Sequence, residues 1–372
     1  MKITIVAGAR PNFIKIAPII KSIEQAQFDG CNIHYRLVHT GQHFDPKMSA
    51  DFFNQLGIPA PNINLECNIG SQIEQTASIM VNFEKDLFEN KPDVVLVVGD
   101  VNSTMACAIT AKKMGIDVAH VEAGIRSGDL SMPEEINRIV TDSISDIYFT
   151  TTSFANNNLV NQKVPSEKIK YVGNTMIDTL FQHLNKIKEP DFWLKFNLVS
   201  KKYFLLTLHR PSNVDDPVKL SNLLVSIGKS SKGFPVIFPV HPRTQKILNN
   251  INISFDNIFI VEPQGYHEFI YLVKNAKGII TDSGGITEEA MVLGVPCLTM
   301  RNSTERPETV IFGTNELIGD DIEKLNLYLQ NIIEGIWKIP QIPKYWDGKT
   351  SDRIVADLIS TYTKKPSKEK VY

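Results

Sequence analysis

The chain has 372 residues, 42% of them hydrophobic and 22% charged, with a formal charge of −2. That is enough apolar material for two domains or one large one; no apolar run reaches membrane-spanning length, and the charge argues against affinity resting on nucleic acid or an anionic membrane. The four cysteines, Cys31, Cys67, Cys107 and Cys297, contain no CxxC pair, which speaks against a disulfide framework or a zinc knuckle and fits a reducing cytoplasm.

At the N-terminus, MKITIVAGAR is too short an apolar run for a signal sequence and reads as a strand over Ile3–Ala7. Further β-branched runs follow at Ile33–His39, Val94–Val98, Asp117–Val121 and Ile147–Thr150, with helical patterns such as Ile14–Gln25 and Gln72–Glu89 between them. This alternation predicts a parallel sheet covered by helices on both faces. After the helical stretch Thr175–Lys188 and the mixed Glu189–Lys202, the series restarts with Tyr203–Leu208, Val236–Val240, Ile258–Val261, Gly278–Thr281 and Pro296–Met300. A restart implies a second sheet. The expected division is residues 1–172, completed by a C-terminal helix in 350–372, and residues 173–349: an α/β chain of two Rossmann-like, doubly wound domains, with ligands beyond the carboxyl ends of the strands. In the tail, Asp347-Gly348 reads as a loop, Thr350 or Ser351 as an N-cap, and the following residues as an amphipathic helix to about Tyr362. Lys364–Tyr372 is polar and expected to fray.

The polar motifs all fall just after strands. In GARPNFIK, Gly8 to Lys15, Arg10 can clamp a diphosphate bidentately and Lys15 can add a point charge one turn later. A G-x-G-x-x-G is missing there, which argues against a nicotinamide cofactor. VVGDVNST ends an apolar strand on Asp100, with Asn102, Ser103 and Thr104 opening a helix; a lone aspartate in such a turn is usually an N-cap. In HVEAGIRSGDLSMPEEINR, Glu122 leaves a strand directly into Ala-Gly, and Glu134 and Glu135 follow Pro133 at a helix start. Carboxylates reaching one strand end from different loops suit proton transfer on opposite faces of a sugar ring. The structural alternative has Glu134 and Glu135 complementing the helix dipole and Glu122 paired with Arg126 or Arg138.

In the second half, His209-Arg210 of TLHRPSNVDD and His241 and Arg243 of PVHPRT bring cationic groups to two successive strand ends, suited to a leaving diphosphate. PQGYHEF, Pro263 to Phe269, offers backbone groups and an aromatic surface, although core packing explains Phe269 by itself. IITDSGGITEEA presents Ser283, Gly284 and Gly285 at a helix start, where bare N–H groups and the helix dipole favour a phosphate. Glu288 and Glu289 follow, within reach of ribose hydroxyls. The alternative is a tight turn whose serine caps the helix. RNSTERPETV adds Arg306. A Gly-Lys-Ser/Thr does not follow, so a Walker site is not expected.

Taken in series, GARPNFIK, TGQHFD, GDVNST, HVEAGIRSGD, MPEEINR, GNTMID, TLHRPSNVD, PVHPRT, TDSGGITEEA and TERPE span nearly the whole chain. In that order the chain resembles the non-hydrolysing UDP-N-acetylglucosamine 2-epimerases. The resemblance implies a GT-B architecture with an interdomain cleft, a UDP-sugar substrate, a homodimer, and reversible epimerisation at C2 through UDP elimination and re-addition. It implies Asp100, Glu122, Glu134 and His209 as catalytic groups. It implies nucleotide contacts from Arg10, Lys15, Gln264, Phe269, Ser283, Gly284, Gly285, Glu289 and Arg306, and no metal, NAD or other cofactor. Three positions depart from the family pattern: Ala9, Asn12 where many members carry Glu, and Asp45 in place of a second Gln associated with activation by UDP-GlcNAc. A UDP-2,3-diacetamido-2,3-dideoxy-glucuronate 2-epimerase and a GT-B glycosyltransferase are the alternative enzymes, and a nucleotide-sugar sensor is the non-enzymatic alternative.

Overall fold

A computed structural model describes residues 1–42, 53–240, 242–249 and 256–363. The expectations placed on Asp45, His241 and Lys364–Tyr372, and on the side chain of Arg243, lie outside the described residues. The chain divides into two compact units, one formed by Met1–Gln182 with Lys344–Tyr372 and the other by His183–Pro343.

The first unit is built on β1 (Lys2–Ala7), β2 (His34–His39), β3 (Ile63–Asn64), β4 (Val94–Val98), β5 (Asp117–Val121), β6 (Ile147–Thr150) and β7 (Ile169–Tyr171), all parallel in the order β3-β2-β1-β4-β5-β6-β7. The second unit carries β8 (Phe204–Thr207), β9 (Val236–Pro239), β10 (Ile258–Val261), β11 (Gly278–Thr281), β12 (Cys297–Thr299) and β13 (Asn315–Leu317), again parallel, in the order β10-β9-β8-β11-β12-β13. Both sheets are α/β and doubly wound. Central strands such as β4 and β11 are buried along their whole length, which is why they read as unbroken apolar runs. The short edge strands β3, β7 and β13 lack that signal, and the sequence pattern passes over them.

In each sheet the strand order reverses once, between β1 and β4 and between β8 and β11. At such a reversal the connecting helices leave in opposite directions, and the carboxyl ends of two adjacent strands stay open. The turn after β1 is packed tightly there. A Cβ on Gly8 would lie 2.0 Å from Ser103 Oγ and 2.5 Å from Thr40 Oγ1, so glycine alone fits. Asn12 accepts the Gly8 and Ala9 N–H groups at 3.1 and 3.0 Å and donates to the Val98 carbonyl at 3.1 Å. It thereby ties the β1 turn to the end of β4. Gln42 accepts from both the N–H and the hydroxyl of Ser103.

The C-terminal helix, Thr350–Thr363, belongs to the first unit. The sequence places its cap on Thr350 or Ser351, but the helix already starts at Thr350, and the N–H groups of Thr350 and Ser351 donate to Asp178 at 3.1 and 2.7 Å. Asp178, fully buried on the helix Thr175–His183, also accepts the Ser351 hydroxyl at 2.8 Å. The cap is supplied from 172 residues away. Asp178→Ala leaves these buried donors without their acceptor and is expected to cost about 2 kcal/mol, seen as a lower Tm in thermal unfolding. An unchanged Tm contradicts this account.

Candidate functional site

In the first unit, the candidate acids sit at the ends of adjacent strands. Glu122 follows β5 in the left-handed backbone region, with φ of 70°, a conformation that costs a non-glycine residue about 1 kcal/mol or more and clusters at functional sites. Its side chain is buried and accepts from the Lys15 ammonium at 2.5 Å. Of the cations named as alternative partners, Arg126 lies 2.7 Å from Asp142, and Arg138 binds Asp100 at 2.5 Å and Glu135 at 2.9 Å. Asp100 is not an N-cap. The helix Asn102–Lys113 starts after Val101 with no side-chain cap bond. The Asp100 side chain stays partly exposed, while its guanidinium partner is buried.

The helix Pro133–Ile144 is inverted relative to an ordinary amphipathic helix. Its buried residues are Glu135, Asn137, Arg138, Thr141 and Asp142, whereas Ile136 is 47% exposed. The polar face turns toward the strand ends. Glu135 accepts the N–H groups of Ser127 and Gly128. Burial, the largest influence, pushes its carboxyl up, but those donors and Arg138 outweigh it and hold the group below its ordinary range. Glu134 is exposed at the helix start. Arg10 opens the helix Arg10–Phe28 and is exposed.

In the second unit Asp282, fully buried at the end of β11, organises the end of β8. It accepts the backbone N–H groups of His209 and Arg210 and the Asn213 amide, and it stands 2.7 Å from His209 Nδ1. Burial pushes its carboxyl up, yet His209, the Arg210 N–H and Asn213 together keep it below its ordinary value. The His209 side chain is 58% exposed, so fixing Nδ1 on Asp282 leaves Nε2 as the nitrogen available to a ligand. Ser283 precedes the helix Gly284–Val292 and makes no side-chain cap bond, contrary to the capping alternative. A Cβ on Gly284 would lie 2.4 Å from Glu305 Oε1. Glu305 in turn pairs with Arg301 at 2.8 Å.

Glu288 is buried against the Arg306 guanidinium, with Nε 3.2 Å from its Oε1. Glu289 accepts from the Tyr266 hydroxyl at 3.3 Å. Burial raises its pKa to about 7, against the opposing effect of that hydrogen bond. Gln264 is half-buried and donates to the Glu262 carbonyl, and Phe269 packs half-buried on the sheet core. Each unit therefore gathers its own set: Lys15, Asp100 and Glu122 in the first, and His209, Asp282, Ser283 and Gly284 in the second. The sequence motifs point to Arg138 only as a partner for Glu122, and they do not single out Asp142, Tyr266, or Asp282 as the partner of His209. Arg138 and Asp282 fall within stretches dense in polar residues, MPEEINR and TDSGG, whereas Asp142 and Tyr266 lie outside both.

Two parallel sheets, each with polar groups gathered where its strand order reverses, define an α/β chain of the GT-B class. The family model described as UDP-N-acetylglucosamine 2-epimerase matches residues 26–359. A UDP-N-acetylglucosamine 2-epimerase of Methanocaldococcus jannaschii is 44% identical, over 98% of this chain and 100% of that protein. One of Methanococcus maripaludis is 42% identical, over 96% and 98%. The crystal structure of the Methanocaldococcus jannaschii enzyme in complex with UDP-GlcNAc and UDP matches with a TM-score of 0.85, at 44% identity and over 97% of this chain and 100% of that one. The chain belongs to the UDP-N-acetylglucosamine 2-epimerase family and is an isomerase.

The raised pKa of Glu289 has a measurable consequence. A carboxyl protonated up to about pH 7 when folded, but only to about 4.5 when unfolded, stabilises the fold fully below pH 4.5 and loses that contribution as pH rises toward 7. Glu289→Gln cannot ionise. Relative to the parent it is expected to gain up to about 3 kcal/mol at pH 8, and the gain should vanish near pH 4. Urea unfolding of both proteins across this range measures the difference, and parallel curves refute the shift.

Proposed function

We propose that the chain interconverts UDP-N-acetylglucosamine and UDP-N-acetylmannosamine by epimerisation at C2, without hydrolysis. The reading rests on one observation above all: Asp100 and Glu122 stand at the ends of adjacent strands, each held by a buried cation. The hydrogen on C2 is barely acidic, so its removal is coupled to loss of UDP from C1. The C1–O bond breaks with its electron pair leaving on the diphosphate, a carboxylate takes the C2 proton, and a C1–C2 double bond results. UDP then adds back to C1 while an acid returns a proton to the opposite face of C2. Atoms and charge balance over the cycle.

In this reading the first unit supplies acid–base groups and the second holds UDP. Asp100, Glu122 and Glu134 exchange the proton, with Lys15 keeping Glu122 in place, and His209 presents Nε2 to the departing phosphate. Ser283, Gly284 and Gly285 offer backbone to the diphosphate, Arg10 and Arg306 add charge, and Gln264, Phe269 and Glu289 hold the nucleoside. Lys15 contacts the nucleotide as well as Glu122. The full-length relatives at 44% and 42% identity support N-acetylglucosamine as the sugar.

The chain acts as a homodimer. The helix Gln72–Glu89 exposes Ile73, Val81 and Phe88 at 79%, 54% and 74%, and these positions fall within roughly 80° of helix surface. Ile136 is exposed on the inverted helix Pro133–Ile144, the second neighbour of that helix across Asn102–Lys113. Apolar groups facing outward on two helices of one layer suit an isologous contact with a second copy. The enzyme works in the cytoplasm, where its free cysteines stay reduced. Among the described residues no helix is long and apolar enough to cross a membrane.

Incubation with UDP-N-acetylglucosamine in deuterated water should place deuterium at C2 of both epimers, read by NMR; its absence removes the proposed chemistry. Glu122→Gln should lower turnover by about a hundredfold or more, the usual scale for a proton-transfer group, and near-native turnover takes Glu122 out of the mechanism. Phe88→Asp combined with Ile136→Asp should convert the dimer to monomer in light scattering. A dimer that persists places the contact elsewhere.

A further inference from the structure

Resting on the reading of Glu122 as an acid–base group, we infer that His120 is the positioning residue of the site. It acts as a buried imidazolium that joins the ends of β4 and β5 and, through Asp142, holds Glu122 in its left-handed backbone.

His120 and Asp142 are almost completely buried, at 0% and 1% exposure. His120 Nε2 lies 2.9 Å from the Gly99 carbonyl, and Nδ1 lies 2.7 Å from Asp142 Oδ1. A carbonyl only accepts, so Nε2 donates. Asp142 also takes the Gly124 N–H at 3.0 Å and stands 2.7 Å from Arg126, the contacts of a carboxylate, so Nδ1 donates too. Both nitrogens carry protons and the ring is charged. Burial opposes ionisation of Asp142, but His120 and Arg126 outweigh it and keep the carboxyl below its ordinary value.

Glu122 lies between two residues fastened to this one carboxylate. His120, two residues before it, binds Oδ1 through its ring, and Gly124, two residues after it, binds Oδ2 through its backbone. Ala123 donates to the Phe149 carbonyl, and the Gly124 carbonyl accepts from Asn158. Gly124 itself has φ of 79°, and a Cβ there would come within 2.3 Å of the Ala155 carbonyl oxygen, so the chain cannot relax on that side. On the β4 side Gly99 gives its N–H to Val121 and receives His120 on its carbonyl. Its φ is 67°, and a Cβ there would lie 3.0 Å from Lys15 Nζ and 3.7 Å from Glu122 Oε2. One ring therefore sets both the turn that carries Asp100 and the strained residue beside it. No neutral side chain of this size donates at two opposite ends at once, which sets the requirement for histidine.

The test combines a direct readout with kinetics on the full-length enzyme. With histidine labelled by nitrogen-15, and His120 assigned by its loss in His120→Gln, both ring nitrogens should resonate in the protonated range at pH 7. One unprotonated nitrogen overturns the charged clamp. His120→Gln and Asp142→Asn should each lower kcat by about tenfold to a hundredfold, the effect of misplacing a catalytic group by about 1 Å, with KM for UDP-N-acetylglucosamine and affinity for UDP within about twofold. Wild-type kcat in either overturns the inference. In a Glu122→Gln background, adding His120→Gln should cost less than about threefold, because the two losses act through one group; losses that multiply assign His120 a general structural role instead. If His120→Gln does not fold, the resonances of the parent assigned through Asp142→Asn, and the kinetics of that variant, decide. A parent enzyme that places no deuterium at C2 refutes the epimerase reading, whereas the nitrogen-15 spectrum tests the clamp independently of it.

Discussion

The constraint on which the rest depends is the reversal of strand order in each parallel sheet. Where β1 meets β4, and where β8 meets β11, neighbouring strands send their connections to opposite faces, and the turns that follow are left uncovered by helix. Those turns carry Gly8 to Arg10 and Gly99-Asp100 in one unit, and His209-Arg210 and Asp282 to Gly285 in the other. Chemistry gathers there because it is the one place in a doubly wound sheet where backbone polar groups from two strands emerge side by side.

A second theme is how each unit handles charge that it cannot leave in water. Lys15 with Glu122, Arg138 with Asp100 and Glu135, Arg126 and His120 with Asp142, and Arg306 with Glu288 are all ion pairs with at least one buried member. Such pairs contribute little net stability, since desolvation offsets much of the attraction, but losing one partner is costly. Their value here is geometric. A carboxylate fixed by two or three donors has one orientation, and the groups it binds inherit it. Asp282 does this for His209, and Asp142 for the chain around Glu122. Glu289 is the exception: it is buried with a tyrosine hydroxyl and raised toward neutrality, which makes its charge sensitive to whatever approaches it.

The departures from family pattern take on meaning in the same terms. Asn12, one of the positions read as a departure from that pattern, accepts two turn N–H groups and donates to the end of β4. A neutral amide can do both, since it has an acceptor and a donor. The helix Pro133–Ile144 has a clear apolar period, and ordinary reasoning from that period would bury its isoleucines. The fold buries Glu135, Arg138 and Asp142 instead, because these side chains bond Asp100 after β4, His120 on β5 and the backbone N–H groups of Gly124, Ser127 and Gly128.

The long central strands, the restart into a second sheet, the bare-backbone turns after them and the family itself were legible in sequence, because each is written in neighbouring residues: β-branched runs, glycines at tight turns, motifs in fixed order. Edge strands of two or three residues were not, since half-buried positions carry no pattern. The partners of the candidate residues were hidden for a different reason. Asp178 caps a helix 172 residues later, Asp282 orients His209 across 73 residues, and Asp142 meets His120 from another element. Sequence determines which side chains are present at a strand end. Only the tertiary structure decides which of them face each other, because a hydrogen bond depends on a separation of about 3 Å in space and takes no account of distance along the chain.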